Sequence, residues 1–262
     1  MTAQLSFTEQ GAGTPIVLLH AFPLSGLMWK QDAMRFAKMG RVITPDLPGF
    51  GRSARHASPS MATMADAVGS CLEQLGLQQP VILGGLSMGG YVALEFLRKF
   101  LQRVKALALF STKAAPDAPE QRQGRFKLIE RLRLEGLKVL SQTMLPKLVG
   151  RTTAANHPSV TAEVERLILA ADLDGVIDAV RAMAERADSR PLLSSIACPT
   201  LIVAGDEDQV ISPEESRLMA EAIQGAELQI IPQAGHLTNL EQPEAFQAAV
   251  EAWLLSNHKE GS

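Results

Sequence analysis

The chain has 262 residues, of which 46% are hydrophobic and 20% charged, with a formal net charge of −3. That is enough apolar material for a substantial core, and one large domain with an insertion is the simplest division of it. So small a charge, with no Lys/Arg cluster along one helix, gives no ground for a nucleic-acid partner, and two cysteines (Cys71 and Cys198) make neither a disulfide framework nor a zinc site.

Along the chain, Leu5 to Phe7 followed by Gly11-Ala12-Gly13 is expected to be an antiparallel edge strand and its turn. Short, continuous apolar runs follow at Ile16 to Leu19, Val42-Ile43, Val81 to Leu83, Ala106 to Phe110, Leu201 to Val203 and Leu228 to Ile231. Each reads as a strand covered on both faces. Helical patterns lie between them at Met64 to Leu75, Tyr91 to Phe100, Pro213 to Ile223 and Pro243 to Leu255. This alternation predicts an α/β fold, a mostly parallel sheet flanked by helices. From Lys113 to Leu193 the rhythm breaks. Helical patterns at Gly124 to Leu145, Val160 to Ala170 and Val176 to Ala187 run on without a strand, punctuated by Pro116, Pro119, Pro146, Gly150 and Pro158. The expectation is a core domain of residues 1–112 and 194–262, with residues 113–193 inserted as an all-helical cap.

Cys71 shares a helical apolar face with Val68, Leu72 and Leu75, and Cys198 precedes Pro199 at a strand start, so both are expected to be inert, packed thiols. The longest apolar runs are a handful of residues, far short of the ~20 that span a bilayer. No basic segment followed by a long apolar one opens the chain. A cytoplasmic protein is expected, without membrane or nucleic-acid partners, as a monomer or small homo-oligomer. The polar tail from Asn257 to Ser262 is expected to fray.

Gly85-Leu86-Ser87-Met88-Gly89 fits G-x-S-x-G. The pattern is weak alone, but here it directly follows the run Val81 to Leu83 and opens the helix at Tyr91. A nucleophilic serine needs that setting, a strained strand-to-helix turn that lifts its hydroxyl from the sheet edge. Flanking glycines remove side chains that would collide there. The helix start aims free N–H groups at developing negative charge.

With these residues in hand the chain resembles the α/β-hydrolase family over nearly its whole length. Leu19-His20-Ala21-Phe22-Pro23 is similar to the family's oxyanion loop, and Asp46-Leu47-Pro48-Gly49-Phe50-Gly51-Arg52-Ser53 to its D-x-x-G-x-G-x-S turn. Gly205-Asp206-Glu207-Asp208 with Pro213 resembles its acid loop. Gly235-His236 with Glu241 and Pro243 resembles its histidine loop.

That fold orders its triad serine, acid, histidine. Only His157, His236 and His258 follow Ser87; His258 is in the tail, and His157 sits before Pro158 in the cap, a surface position. His236 follows the last strand. A neutral imidazole, which ordinarily titrates near 6.5, can take the serine proton and return it to the leaving group. Asp206 and Asp208 both follow the strand Leu201 to Val203. The resemblance favours Asp208 as the orienting acid and leaves Asp206 to cap backbone N–H groups in its loop. No carboxylate follows the preceding strand at Phe110-Ser111-Thr112, which removes the family's other acid position. The resemblance further implies an oxyanion hole from the backbone N–H groups of Phe22 and Met88, with His20 bracing the loop.

Leu24, Trp29, Met144, Leu148, Val210 and Leu237 are the residues expected near an apolar acyl pocket, core packing being the competing role for each. Arg122, Arg125, Lys127, Arg131, Arg133, Lys138 and Lys147 make the first half of the cap basic. A solvated helix face is the simple account; a cation reaching the pocket would pair with a substrate carboxylate. The histidine loop and the Met-Leu-Pro-Lys segment look like the carboxylesterase and enol-lactonase branch. The expected function is therefore hydrolysis of a small carboxylic ester or lactone through an acyl-enzyme, with no metal or cofactor. Thioesterase, C–C hydrolase and perhydrolase activities use the same triad, and a ligand receptor of this fold can keep it. Serine in place of aspartate at the elbow argues against dehalogenase and epoxide-hydrolase chemistry.

Overall fold

A computed structural model describes residues 4–257. The strands are β1 (Phe7–Gln10), β2 (Pro15–Leu19), β3 (Arg41–Pro45), β4 (Val81–Leu86), β5 (Val104–Phe110), β6 (Thr200–Gly205) and β7 (Glu227–Ile231). They form one sheet in the order β1-β3-β2-β4-β5-β6-β7. β1 runs antiparallel to β3, and every other neighbouring pair is parallel. The continuous apolar runs make the fully buried strands, since helices cover both faces of β2, β4 and β6. β7 differs from its expectation. It is an edge strand, and its outward residues Glu227 and Gln229 are exposed.

The helices that position the site are α1 (Lys30–Phe36), α2 (Met61–Gln74), α3 (Met88–Lys99), then α4 (Pro119–Glu135), α5 (Lys138–Thr143), α6 (Leu145–Leu148), α7 (Arg151–Asn156), α8 (Pro158–Leu169), α9 (Leu173–Ala184) and α10 (Arg190–Leu193), and finally α11 (Pro213–Ala222), α12 (Thr238–Glu241) and α13 (Pro243–Asn257). Proline opens α4, α8 and α11, where its missing N–H has no partner to lose. α2 starts earlier than its apolar pattern because Ser60 caps it. The Ser60 hydroxyl accepts from Thr63 N at 3.0 Å, and Thr63 Oγ1 accepts from Ser60 N at 2.9 Å. The single helical pattern Gly124 to Leu145 is in fact three helices. Gly136, at φ +69°, ends α4 in a left-handed conformation that other residues adopt at a cost.

α4 to α10 all lie between β5 and β6, and among the described residues no strand interrupts them. Asn257 is the last residue of α13 rather than the start of a loose tail. His258 and the rest of the polar tail fall outside the described residues. Among the described residues no helix is long and apolar enough to cross a membrane. Cys71 is buried and Cys198 half-buried, and burial pushes both thiols up, Cys71 to about 11. Both are free thiols.

Candidate active site

β4 runs straight into α3, and Ser87 is the hinge between them. Its backbone sits at φ 54°, ψ −111°, far from the helical or extended regions. The turn is held by Phe110 O, which accepts from Ser87 N at 2.9 Å, and by Thr112 Oγ1, which donates to Ser87 O at 2.8 Å. Two glycines make it possible. A Cβ on Gly85 would run into the Gly89 carbonyl, and one on Gly89 into the Leu19 carbonyl of the neighbouring strand.

β6 and β7 carry the other two groups to the same end of the sheet. Asp208 Oδ2 lies 2.8 Å from His236 Nδ1, and both side chains are shielded from solvent. A carboxylate can only accept, so Nδ1 carries the proton and Nε2 keeps its lone pair. The other Asp208 oxygen, Oδ1, accepts from Val210 N at 2.8 Å and Ile211 N at 3.0 Å. Asp206 is exposed, and among the described residues its side chain caps nothing. The capping expected of it belongs to Asp208 itself and to Glu207. Among the described residues the Ser87 hydroxyl makes no hydrogen bond.

Phe22 and Met88 are buried, and among the described residues neither of their backbone N–H groups has an acceptor. Buried donors are rarely left so. His20 braces the loop that presents Phe22. Its Nε2 accepts from Leu47 N at 2.9 Å and its Nδ1 lies 3.0 Å from Ala21 O. Burial pulls its pKa down to about 4, more than the Ala21 carbonyl and Asp46 raise it, so it is neutral.

Several contacts around the site have no signal in the sequence. Glu241, in α12, turns its buried carboxylate onto three N–H groups: Gly150 at 2.7 Å, Gly235 at 3.0 Å and Leu237 at 3.1 Å. Glu207 accepts from Thr152 N at 2.8 Å and Thr152 Oγ1 at 2.6 Å. Leu148 O accepts from His236 N at 3.2 Å. The inserted helices thus hold the histidine and acid loops directly. Such pairings join residues 55 to 91 positions apart and leave no local trace in sequence.

Asp32 in α1 is a further buried carboxylate. It accepts from Asn239 Nδ2 and Gln247 Nε2, each at 2.9 Å, tying α1 to α12 and α13. Burial raises its pKa from 3.8 to about 6, outweighing both amides. The group is most easily buried when neutral. Its contribution to stability is therefore present below pH 3.8 and lost as pH rises through about 6, a change of about 3 kcal/mol. Urea denaturation of wild type and Asp32→Asn should show it. The stability of wild type relative to the variant is expected to fall by about that amount between about pH 4 and pH 7. Parallel pH dependences in the two proteins would refute the assignment.

The expected pocket residues divide. Leu24, Leu148 and Leu237 are buried, and Met144 is half-buried against the core. Leu24 lines a cleft with Pro23, Phe50 and Leu167. Trp29 packs in the core. It has no exposed surface and packs against Phe110 and Phe246, ring centroids 5.9 and 6.1 Å away, because the short helix Gly26–Trp29 turns it into the core. Val210 is the most exposed of the six. It is 39% exposed and lines an outer cleft with Tyr91 and Lys113. Of the seven cations Arg122, Arg125, Lys127, Arg131, Arg133, Lys138 and Lys147, six are exposed; Arg125 alone is half-buried, paired with Asp117. Among the described residues no three His, Cys, Asp or Glu side chains gather as a metal site.

Comparison with known proteins agrees with this architecture. Residues 14–243 match the family model described as the alpha/beta hydrolase fold. A thermophilic esterase from Thermogutta terrifontis, solved with malate bound, superposes with a TM-score of 0.95 at 41% identity, covering 98% of this chain and 95% of that one. The enol-lactonase from Burkholderia xenovorans LB400 superposes at 0.88 with 26% identity, covering 97% of each chain. 3-Oxoadipate enol-lactonase 2 of Acinetobacter baylyi is 28% identical over 226 residues, 86% of this chain and 82% of that protein. The chain belongs to the α/β-hydrolase fold family.

Proposed function

We propose that this carboxylic ester hydrolase cleaves a small ester or lactone through an acyl-enzyme on Ser87, with His236 as general base and Asp208 as the orienting acid. The observation that carries the reading is the solvent-shielded Asp208–His236 pair. Its 2.8 Å contact leaves Nε2 as the free base on a loop at the same sheet end as the strained serine. The substrate carbonyl docks against the N–H groups of Phe22 and Met88. Ser87 Oγ attacks as its proton passes to His236 Nε2, and the tetrahedral oxyanion is held by those two donors. The C–O bond breaks, and the departing alkoxide takes the proton from the imidazolium. Water then gives its proton to Nε2 and its oxygen to the acyl carbon, freeing the acid and Ser87. Residues 113–193 cap this site. The esterase and enol-lactonase names of the relatives support the substrate class, and a lactone would keep its leaving hydroxyl tethered to the acid.

Turnover of p-nitrophenyl acetate through octanoate tests it. Sustained release at about 1 s⁻¹ or faster, with the optimum at a short chain, is the expected result. A single burst equal to the protein concentration, on these esters and on an enol-lactone alike, would favour a receptor that binds without turning over.

A further inference from the structure

Behind the acid loop lies a second cleft of about 280 Å³, separate from the triad residues. Its polar wall is Tyr91, Lys113, Asp117, Gln121 and Arg125; its apolar wall is Leu128, Val210 and Ile211. We propose that this cleft binds a small organic carboxylate with a short apolar stem.

The charges around it do not balance. Asp117, only 2% exposed at its side chain, is shared by Arg125 and Arg186, with Arg186 Nη1 at 2.8 Å. Burial would raise the Asp117 carboxyl, yet the two guanidiniums outweigh it and hold it below the usual range. One carboxylate thus answers two arginines, and Lys113 beside them is the third cation. Among the described residues Lys113 forms no ion pair, and its one hydrogen bond is to Gln121 Oε1 at 3.2 Å. Burial first, then Arg186 and Arg125, pull its pKa down, against Asp117 and Glu215. An ammonium in that position is relieved by an anion.

Tyr91 supplies a neutral donor. The residue is 6% exposed, Arg186 stacks on its ring at 4.3 Å, and among the described residues its hydroxyl has no hydrogen-bond partner. Lys113 Nζ and the Tyr91 hydroxyl can therefore take the two oxygens of a carboxylate. Leu128, Val210 and Ile211 can cover its alkyl stem, which inorganic phosphate lacks. The volume is at the small end of ligand sites.

The cleft also touches the proposed acid. Val210 and Ile211 line it while their N–H groups hold Asp208 Oδ1. If the acyl-enzyme reading holds, the acid product belongs to the class of ligand this cleft takes. Product then feeds back on turnover from outside the substrate pocket. The binding itself does not depend on that reading.

Calorimetric titration of the full-length chain with sodium butyrate, ionic strength held with sodium chloride, is the test. The expected dissociation constant is about 1 to 10 mM. Lys113→Gln and Tyr91→Phe should each weaken it about tenfold. Lys113→Arg, which keeps the charge, should largely retain binding and shows that the loss is not misfolding. Butyrate should inhibit ester turnover noncompetitively in wild type and much less in Lys113→Gln. Absence of binding up to about 50 mM overturns the proposal. So does binding unchanged in Lys113→Gln, or phosphate binding more tightly than butyrate.

Discussion

Ser87→Ala is expected to lower kcat for a p-nitrophenyl ester by about 10⁴-fold or more, with the thermal midpoint little changed. The elbow explains why the two effects separate. The conformation at φ 54° is enforced by its surroundings, by Phe110 O on the Ser87 N–H, by Thr112 Oγ1 on its carbonyl and by the glycines that let the turn close. None of these contacts uses the Ser87 hydroxyl, so alanine inherits the same backbone. On the proposed mechanism only the nucleophile is lost. The residual rate would come from the N–H donors of Phe22 and Met88 acting on water's attack. Residual activity within about tenfold of wild type, measured on protein free of wild-type contamination, would remove Ser87 from the reaction.

Asp208→Asn is expected to cost about 10⁴-fold in kcat, and the reason lies in the two oxygens of this carboxylate. Oδ1 accepts two N–H groups, from Val210 and Ile211, so the asparagine must keep its oxygen there. Its NH₂ then faces His236 Nδ1, which is obliged to accept. The ring proton moves to Nε2, the nitrogen that receives the serine proton in the proposed mechanism. The variant thus folds with its base in the wrong tautomer. Histidine ring nitrogen NMR reads the tautomer, and steady-state kinetics read the rate. A normal Nδ1–H signal together with a small loss of rate would contradict the arrangement.

Much of the architecture was visible in the order of residues. Buried parallel strands have to be apolar throughout, so β2, β4, β5 and β6 announce themselves. The elbow and the histidine loop are visible because their chemistry needs particular residues at fixed local spacing. What stayed hidden depends on distant partners. Nothing near Asp32 indicates that Asn239 and Gln247 will meet it, and nothing near Glu207 indicates Thr152. Nothing in the local sequence tells that the chain buries Trp29 fully and leaves Val210 39% exposed. Short helices such as α6, α7, α10 and α12 are too brief for a periodic pattern to develop.

Gly150 has a consequence for how this family diversifies. It sits against Gly235, next to His236, and a Cβ at position 150 would stand 2.7 Å from Gly235 N and 2.8 Å from Glu207 Oε2. Its N–H is also the one that Glu241 reaches across from the histidine loop to hold. A recombined enzyme that borrows its inserted helices from a relative therefore needs a glycine at this seam to keep His236 in place, and a second one in α9, where a Cβ on Gly175 would run into Gly49 O.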